Sequence, residues 1–129
     1  MTERRSLERI LYVEDDADIQ TVAALALEAV GGFQVKICSS GREAIAAAPG
    51  FRPDLILLDV MMPGMDGPAT LKALRQLPGI AQTPIVFMTA KVQPAEIAQY
   101  KGLGALDVIA KPFDPMKLAA TVRSIYEGS

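Results

Sequence analysis

The side chains in this sequence that could do chemistry are acidic, basic or hydroxyl-bearing, and each follows a short apolar run. They are Glu14, Asp15, Asp16, Asp59, Thr89 and Lys111. The chain has no histidine and a single cysteine, Cys38. This composition excludes Ser-His-Asp and Cys-His nucleophilic sites as well as ordinary zinc sites. Any chemistry must therefore use carboxylates, hydroxyls and lysines, with an oxygen-binding metal as their natural companion.

The apolar runs predict strands, and helical spacing predicts helices between them. Predicted strands cover 10–13, 33–38, 55–58, 84–89 and 105–109. The predicted helices run from 16 to 30, from 40 to Pro49-Gly50, from 66 to the residues before Pro78, from 94 to 101, and from 114 to 126. Residues 55–58 are apolar without alternation, which is typical of a strand buried on both faces.

Five strands that alternate with five helices predict an α/β fold. We expect a doubly wound, flavodoxin-like parallel sheet with strand order 2-1-3-4-5, in one domain over residues 1–129, with its core at about 9–126 and no output domain. In such a sheet the carboxyl ends of the strands meet at one crevice. The candidate residues should therefore converge there.

Several local features refine this picture. Ser40 and Glu43 form the pattern of a capping box, and Asp66 is suited to cap the third helix. The helix over 94–101 has only two large apolar side chains, so it should be the loosest. Structural roles are expected for five other residues: Cys38 as a small hydrophobe, Met88 and Met116 inside the core, and Arg4-Arg5 as a solvated terminus.

Bulk properties narrow the function classes. A net charge of −2 and a pI near 5.1 argue against a direct nucleic-acid surface. The apolar runs are too short for a membrane span or a signal peptide. The single cysteine suits a reducing compartment, so the cytoplasm is the expected location.

Several carboxylates at one crevice repel one another unless one is protonated or a cation binds, and Mg²⁺ is the cation that oxygen ligands favour. Asp59 could then attack phosphorus and form an acyl phosphate. Lys111 would neutralise the phosphoryl oxygens, and Thr89 would donate a hydrogen bond to the attached group. Singly, each residue has a simpler interpretation as a cap, turn former, structural hydroxyl or solvated charge. Their joint position at strand ends favours the functional one.

Four ordered motifs carry a family resemblance: Val13-Glu-Asp-Asp16, Leu58-Asp-Val-Met-Met-Pro-Gly-Met-Asp-Gly67, Met88-Thr-Ala90 and Lys111-Pro-Phe113. The sequence from about Arg9 to Tyr126 resembles the receiver domain of two-component response regulators. The resemblance implies that Asp59 takes a phosphoryl group from a phosphohistidine on a sensor histidine kinase or a histidine phosphotransfer protein.

The same resemblance assigns roles to single residues. It implies Mg²⁺ ligands at Asp15, Asp59 and the Met61 carbonyl, with Glu14 acting mainly through water. Thr89 and Lys111 match the family's switch hydroxyl and phosphate-binding lysine, and the Lys111-Pro112 bond matches one that is often cis in the family. Val108 departs from the pattern, because the family usually carries an aromatic residue or histidine there. Since valine has no ring to turn inward, we expect the output to use instead the backbone after Thr89 and the loose helix near Ile97.

The main hypothesis is therefore a phosphoacceptor with weak intrinsic phosphotransfer and autodephosphorylation activity, not a turnover enzyme. Its downstream protein partner is unknown, and a phosphorylation-linked dimer is one form its output could take. A phosphohydrolase with an aspartyl intermediate would need a cap insertion. A flavodoxin-type carrier would need Ser, Thr and Gly where the first acids lie. A pure docking module would not need the acids, Thr89 and Lys111.

Overall fold

The computed structural model describes residues 6–129, so the prediction for Arg4-Arg5 lies outside the described residues. Its five strands form one parallel sheet in the order β2-β1-β3-β4-β5, which confirms the predicted topology. The strands are β1 Arg9–Val13, β2 Gln34–Cys38, β3 Leu55–Asp59, β4 Ile85–Thr89 and β5 Asp107–Ala110. The α-helices are α1 Ala17–Leu25, α2 Gly41–Phe51, α3 Gly67–Leu74, α4 Pro94–Gly102 and α5 Leu118–Glu127.

The sheet separates two apolar cores because side chains alternate along each strand. On β1, Ile10 and Tyr12 face the core shared with α1 and α5, whereas Leu11 and Val13 face the core shared with α2 and α3. The central strands β3 and β4 are buried along their whole length. The buried positions of Cys38 and Met88 confirm those two predictions.

The first two helices end differently from their predictions. The first predicted helix changes after Leu25 into a π-helical turn, Ala26–Val30. The prediction that α2 ends at Pro49-Gly50 is wrong, since the helix continues to Phe51 and ends at Arg52 in the left-handed region, with φ 56°. Pro49 lacks an N–H donor and crowds the carbonyl four residues earlier, but it lies in the last turn, and the helix ends two residues after it.

The capping box of α2 is shifted by one residue on its return side. The Ser40 hydroxyl accepts from the Glu43 N–H at 3.1 Å, as predicted, but the Glu43 carboxylate accepts from the Ser39 N–H at 3.3 Å. Asp66 caps α3 as predicted, accepting from the Ala69 N–H at 2.9 Å. That helix ends at Leu74, short of the predicted end before Pro78.

The last two elements start later than predicted. β5 begins at Asp107 because Gly104, with φ 113°, holds the chain in a turn. Residues 114–117 form a turn before α5, in which the Asp114 carboxylate accepts from the Met116 N–H at 2.9 Å. The prediction of Met116 as core is therefore wrong, because its side chain lies on this turn and is 72% exposed.

Helix α4 is the least embedded helix, as the sequence indicated. None of the residues 94–102, all of them within the described chain, is buried. Its main aromatic anchor is Tyr100, whose ring meets the ring of buried Phe87 edge-on at 5.3 Å between centroids. Val108 is half-buried beside this pair and is the register partner of Phe87 on β4.

Candidate functional site

Three carboxylates meet at the carboxyl edge of the sheet. Glu14 and Asp15 directly follow β1, and Asp59 is the last residue of β3. One oxygen from each lies within 4.8 Å of the other two. Glu14 and Asp59 are buried and Asp15 is exposed, so the group opens to solvent on one side.

Lys111 brings the positive charge to this group from the end of β5. Its ammonium nitrogen lies 2.7 Å from Glu14 Oε1 and 3.4 Å from Asp59 Oδ1. Desolvation by burial lowers the pKa of Lys111, but the hydrogen bond to Glu14 and the charges of Asp59 and Glu14 outweigh it, so the pKa lies above its ordinary value. The lysine is therefore a fixed cation between two carboxylates. The bond between Lys111 and Pro112 is cis, as the resemblance implied.

Glu14 also accepts from two donors that were not predicted from the sequence. Its Oε2 accepts from the Asp16 N–H at 3.2 Å, and its Oε1 accepts from the Tyr12 hydroxyl at 3.5 Å. Burial first, and then the charges of Glu14 and Asp59, raise the pKa of Tyr12 far above its ordinary value, so the phenol is a permanent donor. The available signal was the spacing: residues two apart on a strand share a face.

The other predicted residues divide between the site and its frame. Thr89 ends β4 and is buried, and its hydroxyl oxygen accepts from the Lys91 N–H at 3.1 Å. Asp16 lies outside the carboxylate group and caps α1, accepting from the N–H groups of Asp18 and Ile19 at 2.9 and 3.1 Å. Met61 lies in the loop after β3, where its side chain is exposed.

The loop after β3 packs tightly against the backbone of Asp59. A Cβ atom on Gly67 would lie 2.6 Å from the Asp59 carbonyl oxygen, 2.8 Å from the Val60 Cα and 3.1 Å from the Phe87 ring. The Gly67 N–H also donates to the Val60 carbonyl at 2.8 Å. Only glycine fits here, so the loop is held close to the candidate nucleophile.

The donor set fits a hard divalent cation. All three ligands in the group offer carboxylate oxygen, which suits Mg²⁺ or Ca²⁺ rather than a soft metal. Two of them are buried, where like charges in close proximity are costly without a counter-charge. Lys111 supplies only part of that charge.

Within residues 6–129, no helix is long and apolar enough to cross a membrane.

Comparisons with known proteins agree with the geometry. The family model "Response regulator receiver domain" matches residues 10–123. The chain is 39% identical over 117 residues to the DNA-binding response regulator MtrA of Mycolicibacterium paratuberculosis, covering 91% of this chain and 50% of that protein. It is also 39% identical over 121 residues to the alkaline phosphatase synthesis transcriptional regulatory protein PhoP of Bacillus subtilis, covering 94% of this chain and 49% of the relative.

Solved structures show the same fold at greater coverage. The chemotaxis protein CheY4 of Vibrio cholerae superposes with a TM-score of 0.85 at 32% identity, covering 93% of this chain and 99% of that one. A response regulator from Chloroflexus aurantiacus gives a TM-score of 0.83 at 32% identity, covering 93% and 98%. The chain spans about half the length of the curated relatives it matches. Sequence motifs, sheet topology and these matches together place the chain in the family of response regulator receiver domains, the phosphoacceptors of two-component systems.

Proposed function

We propose that Asp59 accepts a phosphoryl group from a phosphohistidine and that the phosphorylated domain changes its binding to a protein partner. The observation that carries this proposal is the position of the Lys111 ammonium between Glu14 and Asp59 at the carboxyl edge of the sheet. A purely structural salt bridge would not need a third carboxylate within 4.8 Å of the same pair. We propose residues 9–126 as the unit that performs this step, in the cytoplasm.

The transfer step uses groups of this chain. An oxygen of the Asp59 carboxylate attacks phosphorus while the phosphorus–nitrogen bond of the phosphohistidine breaks, so that an acyl phosphate forms and the electron pair leaves with the imidazole. Lys111 is placed to neutralise the charge on the phosphoryl oxygens. The Thr89 hydroxyl can donate a hydrogen bond to the bound group while its oxygen still accepts from the Lys91 N–H.

Asp15, Asp59 and the Met61 carbonyl would hold Mg²⁺, with Glu14 acting through water. When bound, the ion supplies positive charge to a phosphoryl oxygen and offsets the repulsion among the carboxylates. Glu14 itself already accepts from Lys111 and from the Asp16 N–H, which fits an indirect role toward the metal.

The phosphodonor would dock beside Lys111. A cavity of about 260 Å³ lies there, lined mainly by apolar groups of Ile19, Val22, Pro112 and Phe113. Val22 is 43% exposed, so this part of α1 offers apolar surface to a partner. We propose a histidine-bearing helix of a sensor kinase or a phosphotransfer protein as the occupant, since an amphipathic helix can lay its apolar face in such a groove.

The test is chemical phosphorylation followed by intact mass. Incubation with Mg²⁺ and either acetyl phosphate or phosphoramidate, which carries a phosphorus–nitrogen bond, should add about 80 Da. Hydroxylamine should remove this mass, because it cleaves acyl phosphates and spares phosphoserine and phosphothreonine. Asp59→Asn should abolish the adduct. Glu28→Gln removes one negative charge from an exposed position on the π-helical turn and should keep the adduct.

Each alternative gives a different result. A docking module without phosphoryl chemistry would show no adduct in the wild-type protein. A phosphohydrolase would release phosphate in many turnovers from phosphate monoesters, whereas we expect the phosphoryl group to remain on Asp59 until slow hydrolysis. An adduct that persists in Asp59→Asn would show that another residue is the acceptor.

A further inference from the structure

We propose that Tyr12 is a positioning residue for phosphoryl transfer: its buried hydroxyl holds the Glu14 carboxylate, and Glu14 in turn holds Lys111 beside Asp59. The inference rests on the proposed function of Asp59 as phosphoacceptor. It adds a residue from inside the core that none of the four sequence motifs contains.

The Tyr12 hydroxyl lies inside the core and close to Glu14. Tyr12 and Glu14 are two residues apart along β1 and its end, so both side chains extend from the same face of the sheet. Tyr12 is fully buried among the apolar side chains between the sheet, α1 and α5. A buried hydroxyl needs a hydrogen-bond partner, and that partner is Glu14 Oε1.

Three hydrogen-bond donors surround the Glu14 carboxylate. Its Oε1 accepts from the Lys111 ammonium at 2.7 Å and from the Tyr12 hydroxyl at 3.5 Å, the second at the long limit of a hydrogen bond. Its Oε2 accepts from the Asp16 N–H at 3.2 Å. Three donors thus orient one carboxylate, and the hydroxyl is the one that reaches it from the apolar core.

The Glu14 carboxylate affects the reaction through Lys111. A lysine side chain is long and flexible, so the place of its ammonium depends on its partners. The Lys111 nitrogen is closer to Glu14 than to Asp59, by 2.7 against 3.4 Å. Glu14 therefore sets how the charge is presented to a phosphoryl group on Asp59. Loss of the Tyr12 hydroxyl would loosen that arrangement while the aromatic ring still fills the core.

The test compares Tyr12→Phe with Tyr126→Phe, a second buried tyrosine of the same core that lies on α5. We expect Tyr12→Phe to slow phosphorylation by acetyl phosphate about two- to threefold, the loss that a long and therefore weak hydrogen bond implies. The Mg²⁺ concentration at half-maximal rate should change less than about twofold, because the hydroxyl contacts neither Asp15 nor Asp59 among the described hydrogen bonds. The Tyr126→Phe protein should keep the wild-type rate.

A double-mutant cycle separates positioning from a general structural effect. In a Glu14→Ala background, Tyr12→Phe should cost less than about 1.5-fold, because the acceptor through which it acts is gone. Equal losses in both backgrounds would overturn the proposal. So would equal rates for wild type and Tyr12→Phe when the wild-type protein is phosphorylated.

A measurement without phosphorylation keeps the two proposals distinct. The lysine side-chain ammonium region of a ¹H–¹⁵N spectrum should show a slowly exchanging Lys111 signal in the metal-free wild type, which weakens in Tyr12→Phe and persists in Tyr126→Phe. Absence of that signal in the wild type would refute the anchoring of Lys111 by Glu14. A wild type that shows the signal but takes no phosphoryl group would refute the proposed function and, with it, a role for Tyr12 in the transfer.

Discussion

Neutralising Asp15 should have opposite effects on the metal-free and the metal-bound protein. Asp15 is the exposed member of the carboxylate group, and its oxygen lies within 4.8 Å of oxygens on Glu14 and Asp59. Two unit charges at 4.8 Å repel by about 0.9 kcal/mol with water-like screening. At physiological salt the two repulsions together come to about 1 kcal/mol. Asp15→Asn removes both repulsions and keeps the shape of the side chain.

The assay is thermal unfolding with and without Mg²⁺. Without the metal, we expect the melting temperature of Asp15→Asn to lie about 3–5 °C above that of the wild type. With millimolar Mg²⁺ the wild type should gain stability because the ion binds only the folded state, and the variant should gain much less because it has lost a ligand. The melting temperatures of the two proteins should therefore converge or change order as Mg²⁺ is added.

Glu28→Gln is the matched control, because it removes the same charge from an exposed position on the π-helical turn. It should leave both the metal-free melting temperature and the Mg²⁺ response close to those of the wild type. A lower metal-free melting temperature for Asp15→Asn would refute the repulsion among the carboxylates. A Mg²⁺ response as strong as that of the wild type would refute Asp15 as a metal ligand.

Three further predictions test the frame of the site. Gly67→Ala should destabilise the protein by about 1–3 kcal/mol in urea unfolding, because its Cβ would collide with backbone; Gly50→Ala, on an open helical position, should stabilise it slightly, and equal effects would refute the packing argument. Tyr100→Ala removes the ring that meets Phe87, so amide exchange in α4 should accelerate about tenfold while α5 keeps its rate; an unchanged α4 would mean that other contacts hold it. Burial, and then the charge of a neighbouring glutamate, raise the pKa of the Cys38 thiol from 9.0 to about 11. The folded state thus favours the neutral thiol, so the free energy of unfolding should fall as pH rises from about 9 to 11, and Cys38→Ala should flatten that fall.

Much of the fold could be predicted because its signals are local. The uninterrupted apolar run of residues 55–58 indicates a strand buried on both faces, and β3 is one. The late start of α5 could not be predicted from Asp114-Pro115, because the same residue types begin either a helix or a turn. The exposure of Met116 follows from that turn. The spacing of apolar residues also did not indicate the π-helical turn after α1. An α-helix and a short π-helical turn differ only slightly in residues per turn, so both fit the same apolar pattern.

The sequence by itself determined which residue types stand at the carboxyl ends of the strands, because strand alternation and helix caps are read from neighbours along the chain. Only the tertiary structure decided which of them touch. Glu14 and Lys111 are 97 residues apart, yet they form the shortest ion pair of the described site. Asp16 turns away to cap a helix, and Tyr12 reaches the carboxylate from the core. The physical reason is that contacts between distant segments depend on the assembly of the whole sheet, which no local pattern encodes.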